Sequence, residues 1–319
     1  MPTAKASPHT CGRLRPYWAL NHVTPWIFLV NPAFAYMASC ADLGRAFVSW
    51  FAFASLGLVA NHRFFSHVSF ETSRPFRLVL GFVSCLGMQY GPLWWSSKHR
   101  RHHKHCDLPE DPHSWKQTSF WYAWMLWTQA QREQQIDVEF LHPSLFDAKP
   151  SFHLPPALTP LHSRDTVHGR HVAPELLLLD KLWWAPFVLL HLTLHLVAGL
   201  DLRTIFLAFT TPLLNIVLPI LLFNVIFHPH DDLPPLLKHP KGATAVGCYA
   251  LDSLVDPLTF MLGESHHADH HKFPARARRP GPIDLSWVLI VKPLLATGLI
   301  WNPRMVQNKA IRFWKSKAY

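Results

Sequence analysis

Charged residues are scarce in this chain of 319 residues, because Asp, Glu, Lys and Arg together make up only 16% of it. An ordinary soluble domain carries about 25%. Cysteine is also rare, with five residues and no CxxC pair, which argues against a zinc ribbon or a disulfide framework. Cationic residues outnumber anionic ones by 30 to 20, but their runs do not interleave with aromatic residues as in nucleic-acid-binding proteins. Nucleic acid is therefore excluded as a partner.

Apolar side chains and imidazoles, by contrast, are abundant. Hydrophobic residues make up 49% of the chain, with 22 Phe and 14 Trp, which is too much apolar mass for a disordered protein. The 23 histidines outnumber the 20 acidic residues. Because neutral imidazole is the commonest side-chain ligand of metal ions, the arrangement of these histidines becomes the central question.

Four apolar stretches, arranged in two pairs, predict an all-α integral membrane protein. A helix needs about 20 residues to cross a bilayer, and we place transmembrane helices at residues 22–41, 45–61, 176–200 and 205–227. The polar links inside the pairs, Asp42–Arg45 and Asp201–Thr204, carry one cation each, Arg45 and Arg203, whereas other cations cluster outside the pairs. Positive residues stay in the cytosol, which predicts cytosolic termini and a cytosolic helical cap within one domain, residues 1–319. A soluble protein with four buried helices is the alternative.

Nine histidines lie just beyond the predicted cytosolic ends of the spans: His62, His67, His99, His102, His103, His228, His267, His270 and His271. Two triplets among them have i, i+3, i+4 spacing, which brings three imidazoles to one face of a helix. His62 and His67 are five residues apart, or about 140° around an ideal α-helix. We therefore expect these two to point in different directions, or to lie where the helix breaks.

The number of imidazoles predicts two metal ions, since nine exceed the ligands of one ion and two ions would each keep an open position. Imidazole suits Zn, Cu, Fe and Ni. Three Glu-x-x-His pairs of the kind found in carboxylate-bridged di-iron bundles also occur, at Glu110/His113, Glu139/His142 and Glu264/His267. Pro112 interrupts the first pair and Pro143 directly follows the second, so the all-histidine site is favoured.

The three histidine motifs HRFFSH, HRRHHKHCDLPEDPH and GESHHADHHKFP resemble those of membrane acyl-CoA desaturases, the stearoyl-CoA (Δ9) family. The resemblance implies four transmembrane helices, a di-iron site in a cytosolic cap and an acyl tunnel between the helices. It assigns the nine histidines as iron ligands, and Asn224 as a residue that reaches an iron through water. It also implies that Gln89 and Trp95 shape the bend of the tunnel beside the irons.

The expected reaction is O₂-dependent desaturation of a fatty acyl chain, because an unactivated methylene has no acidic proton and needs metal–oxygen chemistry. The resemblance implies two Fe²⁺, an acyl-CoA substrate, a Δ9-type position, and a cis double bond and water as products. No HPGG haem motif occurs in the sequence, so electrons are expected from a separate cytochrome b5 or ferredoxin-type protein. The membrane is expected to be the endoplasmic reticulum in a eukaryote and the plasma membrane in a bacterium.

Several interpretations remain open at this point. A membrane hydroxylase and a non-catalytic His-rich metal-binding or transport protein are the alternatives to a desaturase, and an inactive homologue is a third.

Trp50 or Ala46, in the second predicted span, is hypothesised to set the depth of the tunnel. The segment 129–173 does not follow the family, and its histidines are expected to be solvated. His191 and His195 are expected to be packing residues, with a functional pair as the alternative, and His105, His113 and His266 are expected to be partners of the ligands.

Overall fold

The protein is described by a computed structural model at residues 23–149, 166–167, 170–226, 228, 262–264, 267–279 and 284–305. Helix predominates in these ranges. The α-helices are, in chain order, α1 (Val23–Met37), α2 (Cys40–Leu58), α3 (Arg74–Cys85), α4 (Pro92–His105), α5 (Phe120–Trp124), α6 (Pro174–Lys181), α7 (Ala185–Leu196), α8 (Leu202–Ile205), α9 (Thr211–Leu214), α10 (Val217–Ile226), α11 (His267–Lys272) and α12 (Lys292–Ala296).

Three π-helical segments and four short 3₁₀ turns complete the helical part. The π-helical segments are Val59–Ser66, which continues α2, Phe206–Thr210, which joins α8 to α9, and Trp287–Val291, which leads into α12. The 3₁₀ turns are Leu126–Gln129, Gln131–Gln134, Val138–Phe140 and Pro143–Leu145.

Short antiparallel strands tie distant parts of the chain together. Strand β1 (Glu71–Thr72) pairs with β5 (Ile300–Trp301), with Glu71 opposite Trp301. Strands β2 (Phe146–Asp147), β3 (Thr166–Val167) and β4 (Arg170–Val172) form a sheet of order β2-β4-β3. The sheets are too small to form a layer, and the core is built from apolar helix faces, with Phe65, Leu93, Leu176 and Leu213 almost completely buried.

Two helices in the described part of the chain are long and apolar enough to cross a membrane. They are Cys40–Ser66, with 27 residues and a mean hydropathy of 1.5, and Leu202–Phe223, with 22 residues and a mean hydropathy of 2.2. The apolar part of α1, Trp26–Met37, is shorter than the roughly 20 residues of a typical span. A bent helix pair brings the number of candidate spans to three, so the four predicted spans are not confirmed.

The predicted third span, residues 176–200, is not one straight helix. It consists of α6 and α7, whose axes differ in direction by 76°. Pro186 is the second residue of α7 and has no N–H to bond the carbonyl four residues earlier, so α6 cannot continue regularly into α7. Helix α6 is instead held to α3, because Glu175 accepts hydrogen bonds from Arg74 (2.7 and 2.9 Å) and Arg77 (2.8 Å).

The link between the first two predicted spans lies earlier than expected. Asp42 was predicted to begin that link, but it lies in the first turn of α2, where it forms a capping box with Ser39. Arg203 donates hydrogen bonds to the Met37 carbonyl (2.8 Å) and to Asp42 (3.1 Å). The two predicted helix pairs are therefore joined to each other at this end.

Candidate metal centre

Helix α4 carries His99, His102 and His103. The π-helical segment after α2 carries His62, and His67 is the first residue after that segment. In a π-helix the backbone hydrogen bonds join residues five apart, so such residues lie one turn from each other. The ring centroids of His62 and His67 are accordingly 5.1 Å apart. The two residues therefore do not point in different directions, as they would in an ideal α-helix. The alternative expectation, that they lie where the helix breaks, is confirmed, because the α-helix ends at Leu58 and the π-helical segment ends at Ser66.

Five histidines form a first group, in which one ring nitrogen of each lies within 4.8 Å of all the others: His62, His67, His99, His103 and His270. Three pairs of Nε2 atoms are much closer. The distance is 2.8 Å between His62 and His270, 2.9 Å between His67 and His99, and 2.9 Å between His103 and His270. The three histidine motifs therefore converge on one point.

A second group contains His102, His228 and His271, with the thiol of Cys106 within the same 4.8 Å limit. The Nε2 atom of His267 lies 2.9 Å from that of His228 and 3.0 Å from that of His271. His103 and His271 stack with ring centroids 4.2 Å apart, so the two groups are in direct contact. The nine histidines thus divide into a set of five and a set of four.

Both groups fit metal ions. Nitrogen ligands that bind one ion at about 2.1 Å, at right angles to each other, lie about 3.0 Å apart, close to the Nε2 separations in both groups. In addition, the Nε2 atom of His102 is buried and has no hydrogen-bond partner in the described part of the chain. A buried polar atom of this kind is normally satisfied, and a metal ion would satisfy it.

The outer nitrogens of several rings have partners that fix the orientation of the ring. The Nδ1 atom of His62 lies 2.7 Å from Glu264, and that of His102 lies 2.8 Å from Asp111. The Nδ1 atom of His270 accepts a hydrogen bond from Arg279 (2.7 Å). The two carboxylates can accept from the Nδ1–H groups of His62 and His102, as the partners that orient metal-binding histidines do. Arg279 can only donate, so its contact with His270 is not of this kind.

The charge states of the site suit metal binding. Burial is the largest cause that lowers the pKa of six imidazoles well below the usual range, namely His67, His99, His103, His267, His270 and His271. These rings are therefore neutral at pH 7, as ligation requires. For the Glu264 carboxyl, burial acts in the opposite direction and raises the pKa. The adjacent His62 and Arg279 outweigh burial and hold the pKa of Glu264 at about 2.

The predicted tunnel residues lie in two places. Trp95 stacks on His99 with ring centroids 4.8 Å apart, and its Nε1 atom donates to the side chain of Gln89 (2.9 Å), so both residues lie beside the first group. Ala46 and Trp50 lie on α2, and Trp50 precedes His62 by 12 residues, or about 18 Å of helix. Asn224 belongs to α10, but its side chain is outside the described part.

The segment after residue 129 covers the outer side of α4, which the sequence did not predict. Lys98 and Arg101 are buried and both form ion pairs with Glu133 and Asp137, at 2.5 to 3.1 Å. Lys98 and Arg101, which follow the second predicted span, therefore fix this segment to α4 through ion pairs. This role is separate from the topology signal that the sequence predicts for them. His142, expected to be solvated, is half-buried and accepts a hydrogen bond from the Ser144 amide (3.1 Å).

The expected partners of the ligands fall partly inside the described ranges. His113 is buried and packs against His102 with tilted rings, whose centroids lie 4.4 Å apart. His191 bonds Thr210 (2.9 Å) and the Phe187 carbonyl (2.7 Å), which agrees with a packing role. His266 lies outside the described residues, as do three histidines of the divergent segment, His153, His162 and His168.

Comparison with known proteins agrees with this geometry. The family model for fatty acid desaturases matches residues 43–279. Among curated relatives, the chain is 39% identical over 80 residues, 25% of each protein, to a hex-5-enoyl-[acyl-carrier protein] acetylenase of Moorena producens (strain JHB). It is 32% identical over 126 residues to an sn-2 palmitoyl-lipid 9-desaturase of Nostoc sp. (strain 36), covering 39% of this chain and 40% of the relative.

A third relative aligns along almost the whole chain. It is an sn-1 stearoyl-lipid 9-desaturase of Anabaena variabilis, 25% identical over 302 residues, which cover 91% of this chain and 96% of the relative. The matches to the first two relatives span only a quarter and two-fifths of their lengths.

Proposed function

The chain belongs to the fatty acid desaturase family, and we propose that it introduces a cis double bond into a fatty acyl chain at a di-iron centre. The observation that carries the proposal is the convergence of the histidine motifs into two contiguous groups whose Nε2 atoms have the spacing of metal ligands. The acyl chain would lose two hydrogens while O₂, two external electrons and two protons give two molecules of water. The Δ9-type position remains part of the proposal.

We assign one iron to each histidine group. The first would be held by five ligands, His62, His67, His99, His103 and His270, and the second by four, His102, His228, His267 and His271. Asn224 would reach an iron through water. When bound, the two irons would supply the redox chemistry that withdraws hydrogen from an unactivated methylene.

The protein's own contribution is to orient the ligands and to place one C–C bond of the substrate beside them. Glu264 and Asp111 fix the rings of His62 and His102 through their Nδ1 atoms. The indole of Trp95, which donates a hydrogen bond to Gln89, stacks on His99, and we propose that an acyl chain bends there. A fixed chain position turns the reaction into an effectively unimolecular step, which lowers its barrier.

For the acyl carrier we propose a membrane lipid rather than the CoA thioester that the sequence resemblance implies. Binding of CoA phosphates requires accessible cations, and although Arg63, Lys98 and Arg101 are buried and paired with carboxylates, Lys104, Lys272 and Arg278 are exposed. The cations therefore do not distinguish the two carriers, and the proposal rests on the relatives. The relative that aligns along most of the chain is itself named a stearoyl-lipid desaturase.

Fatty-acid profiling of a desaturase-deficient host, with and without expression of this chain, tests the reaction. New cis-monoenes are expected, and their double-bond position tests the Δ9 assignment. Hydroxy fatty acids would contradict desaturation and favour the hydroxylase, whereas alkynyl products would indicate the activity named for the Moorena producens relative. Purified protein supplied with palmitoyl-CoA or with vesicles of dipalmitoylphosphatidylcholine then separates the two carriers.

The electron donor and the location are proposed on the same basis. We propose a separate cytochrome b5 or ferredoxin-type protein as the electron source, since the reaction consumes two electrons that the substrate does not supply.

The metal centre is proposed to face the cytosol from the endoplasmic reticulum membrane of a eukaryote or the plasma membrane of a bacterium, because the cations follow the predicted spans on that side.

Trp50→Ala is expected to extend the preferred acyl chain by two or more carbons, because a small residue in place of the indole would deepen the tunnel. The measurement is the chain-length distribution of monoenes formed from a mixture of saturated substrates. Val48→Ala is the matched control, since Val48 lies on the same helix and is exposed. An unchanged distribution in Trp50→Ala would exclude Trp50 as the residue that sets the depth.

A further inference from the structure

The first turn of α4, the helix that carries His99, His102 and His103, has no capping side chain of its own. Its N-cap residue is Gly91, and no side-chain hydrogen bond is made from that position. Pro92 follows as the first helical residue, which lacks an N–H. The amides of Leu93 and Trp94 therefore need an acceptor, since the first N–H groups of a helix have no partner within the helix.

Asp180 supplies that acceptor from 86 residues farther along the chain. The Leu93 amide donates to its Oδ2 atom (2.8 Å), and the Trp94 amide donates to its Oδ1 atom (2.7 Å). These are the second and third positions of the helix, the ones that an N-cap side chain normally satisfies. A carboxylate at this end also interacts favourably with the helix dipole.

Asp180 lies at the break in the predicted third span. It is the penultimate residue of α6, directly before the break that precedes α7. Trp183, within the break, packs against Tyr90 with ring centroids 5.3 Å apart. A Cβ atom on Gly91 would lie only 2.5 Å from the Cα atom of Asp180, so the approach of α6 to α4 requires glycine at this position.

We propose that Asp180 is a positioning residue for the metal centre, capping helix α4, which carries three of the histidines, from the break in the predicted third span. The inference rests on the proposed function, because α4 contributes two histidines to the first group and one to the second. Fraying of its first turn would shift ligands of both ions. Asp180 lies in the last turn of α6, directly before the break that precedes α7.

Hydrogen exchange of the metal-free, full-length protein tests the cap without reference to the metal. Asp180→Ala is expected to speed exchange of the Leu93 and Trp94 amides about fivefold, the loss typical of an N-cap residue. Asp180→Asn keeps one acceptor oxygen and should have a smaller effect. It also keeps the test decisive if Asp180→Ala does not fold. Gly91→Ala should reproduce the faster exchange by displacing Asp180.

Titration with Co²⁺ tests the positioning role. The dissociation constants of both Co²⁺ ions are expected to rise about tenfold or more in Asp180→Ala, as when the hydrogen-bond partner of a metal ligand is lost, and the Co²⁺ d–d spectrum should change. Glu175→Gln is the matched control, because Glu175 lies on the same helix and binds α3 instead of α4. It should keep wild-type exchange and affinity.

Three outcomes have distinct meanings. Wild-type exchange and Co²⁺ binding in Asp180→Ala would overturn the inference while leaving the proposed function intact. Equal losses in Glu175→Gln would also overturn it, because the effect would then belong to the packing of α6 in general. A wild-type protein that binds no Co²⁺ or iron would instead overturn the metal centre itself, together with the positioning role.

Discussion

His102→Ala is expected to abolish desaturation and to lower the metal content from about two ions per chain to about one. His102 is 1% exposed, and its Nε2 atom is buried without a hydrogen-bond partner among the described residues. Its loss leaves the second group with three imidazoles and a space that water can enter. The effect should therefore exceed the roughly 10–100-fold cost of losing a hydrogen-bond partner of a ligand.

The same histidine offers a graded comparison through its carboxylate partner. Asp111 lies 2.8 Å from the Nδ1 atom of His102 and also accepts hydrogen bonds from the amides of Asp107 (2.9 Å) and His113 (3.1 Å). Asp111→Asn retains an acceptor but removes the negative charge. It should reduce activity about 10–100-fold while leaving a detectable second ion.

Monoene formation in expressing cells and metal analysis of the purified protein are the two measurements. His195→Ala is the matched control, because His195 lies on α7 and its ring bonds only the carbonyl of Leu200 among the described residues (2.9 Å). Wild-type monoene levels in His102→Ala would remove the second group from the catalytic site.

The local spacing of residues predicts much of this site. The triplet of α4 and the triplet of α11 both have i, i+3, i+4 spacing, and both lie on helices in the structure. That spacing brings side chains together through the geometry of one helix alone, so no knowledge of the tertiary fold is needed. The family could be predicted for the same reason, since its motifs are contiguous in the sequence.

Features that depend on backbone irregularity or on distant partners could not be predicted in this way. Nothing in the spacing of the residues indicates the π-helical segment that brings His62 close to His67. The break after Lys181 is missed for a different reason: Pro186 marks it in the sequence, but the hydropathy of residues 176–200 favours one continuous span. The ion pairs of Lys98 with Glu133 and Asp137 join residues about 35 to 40 positions apart, and such pairings are set by packing, which one sequence does not reveal.

Arg63→Met is expected to cause the largest loss of stability, about 3–5 kcal/mol, which is typical when one partner of a buried ion pair is removed. The guanidinium of Arg63 is 1% exposed and bonds both oxygens of Asp284, at 2.9 Å each. It also donates to the carbonyls of Ala277 and Gly263, at 2.7 Å each. The substitution leaves one carboxylate and two carbonyls buried without their donor.

The stability loss of Arg63→Met should also reach the metal centre, because Arg63 follows His62 and joins the first histidine motif to the segment after the third. Thermal unfolding in detergent, followed by tryptophan fluorescence, should show a midpoint lower by roughly 10 °C. Arg45→Met is the control, since Arg45 is 63% exposed in its pair with Asp42 and such a pair contributes under about 1 kcal/mol. Equal unfolding midpoints for Arg63→Met and Arg45→Met would mean that the paired hydrogen bonds between Arg63 and Asp284 do not hold the first histidine motif against the segment after the third. The carbonyls of Ala277 and Gly263 would then have to be satisfied by water entering beside His62.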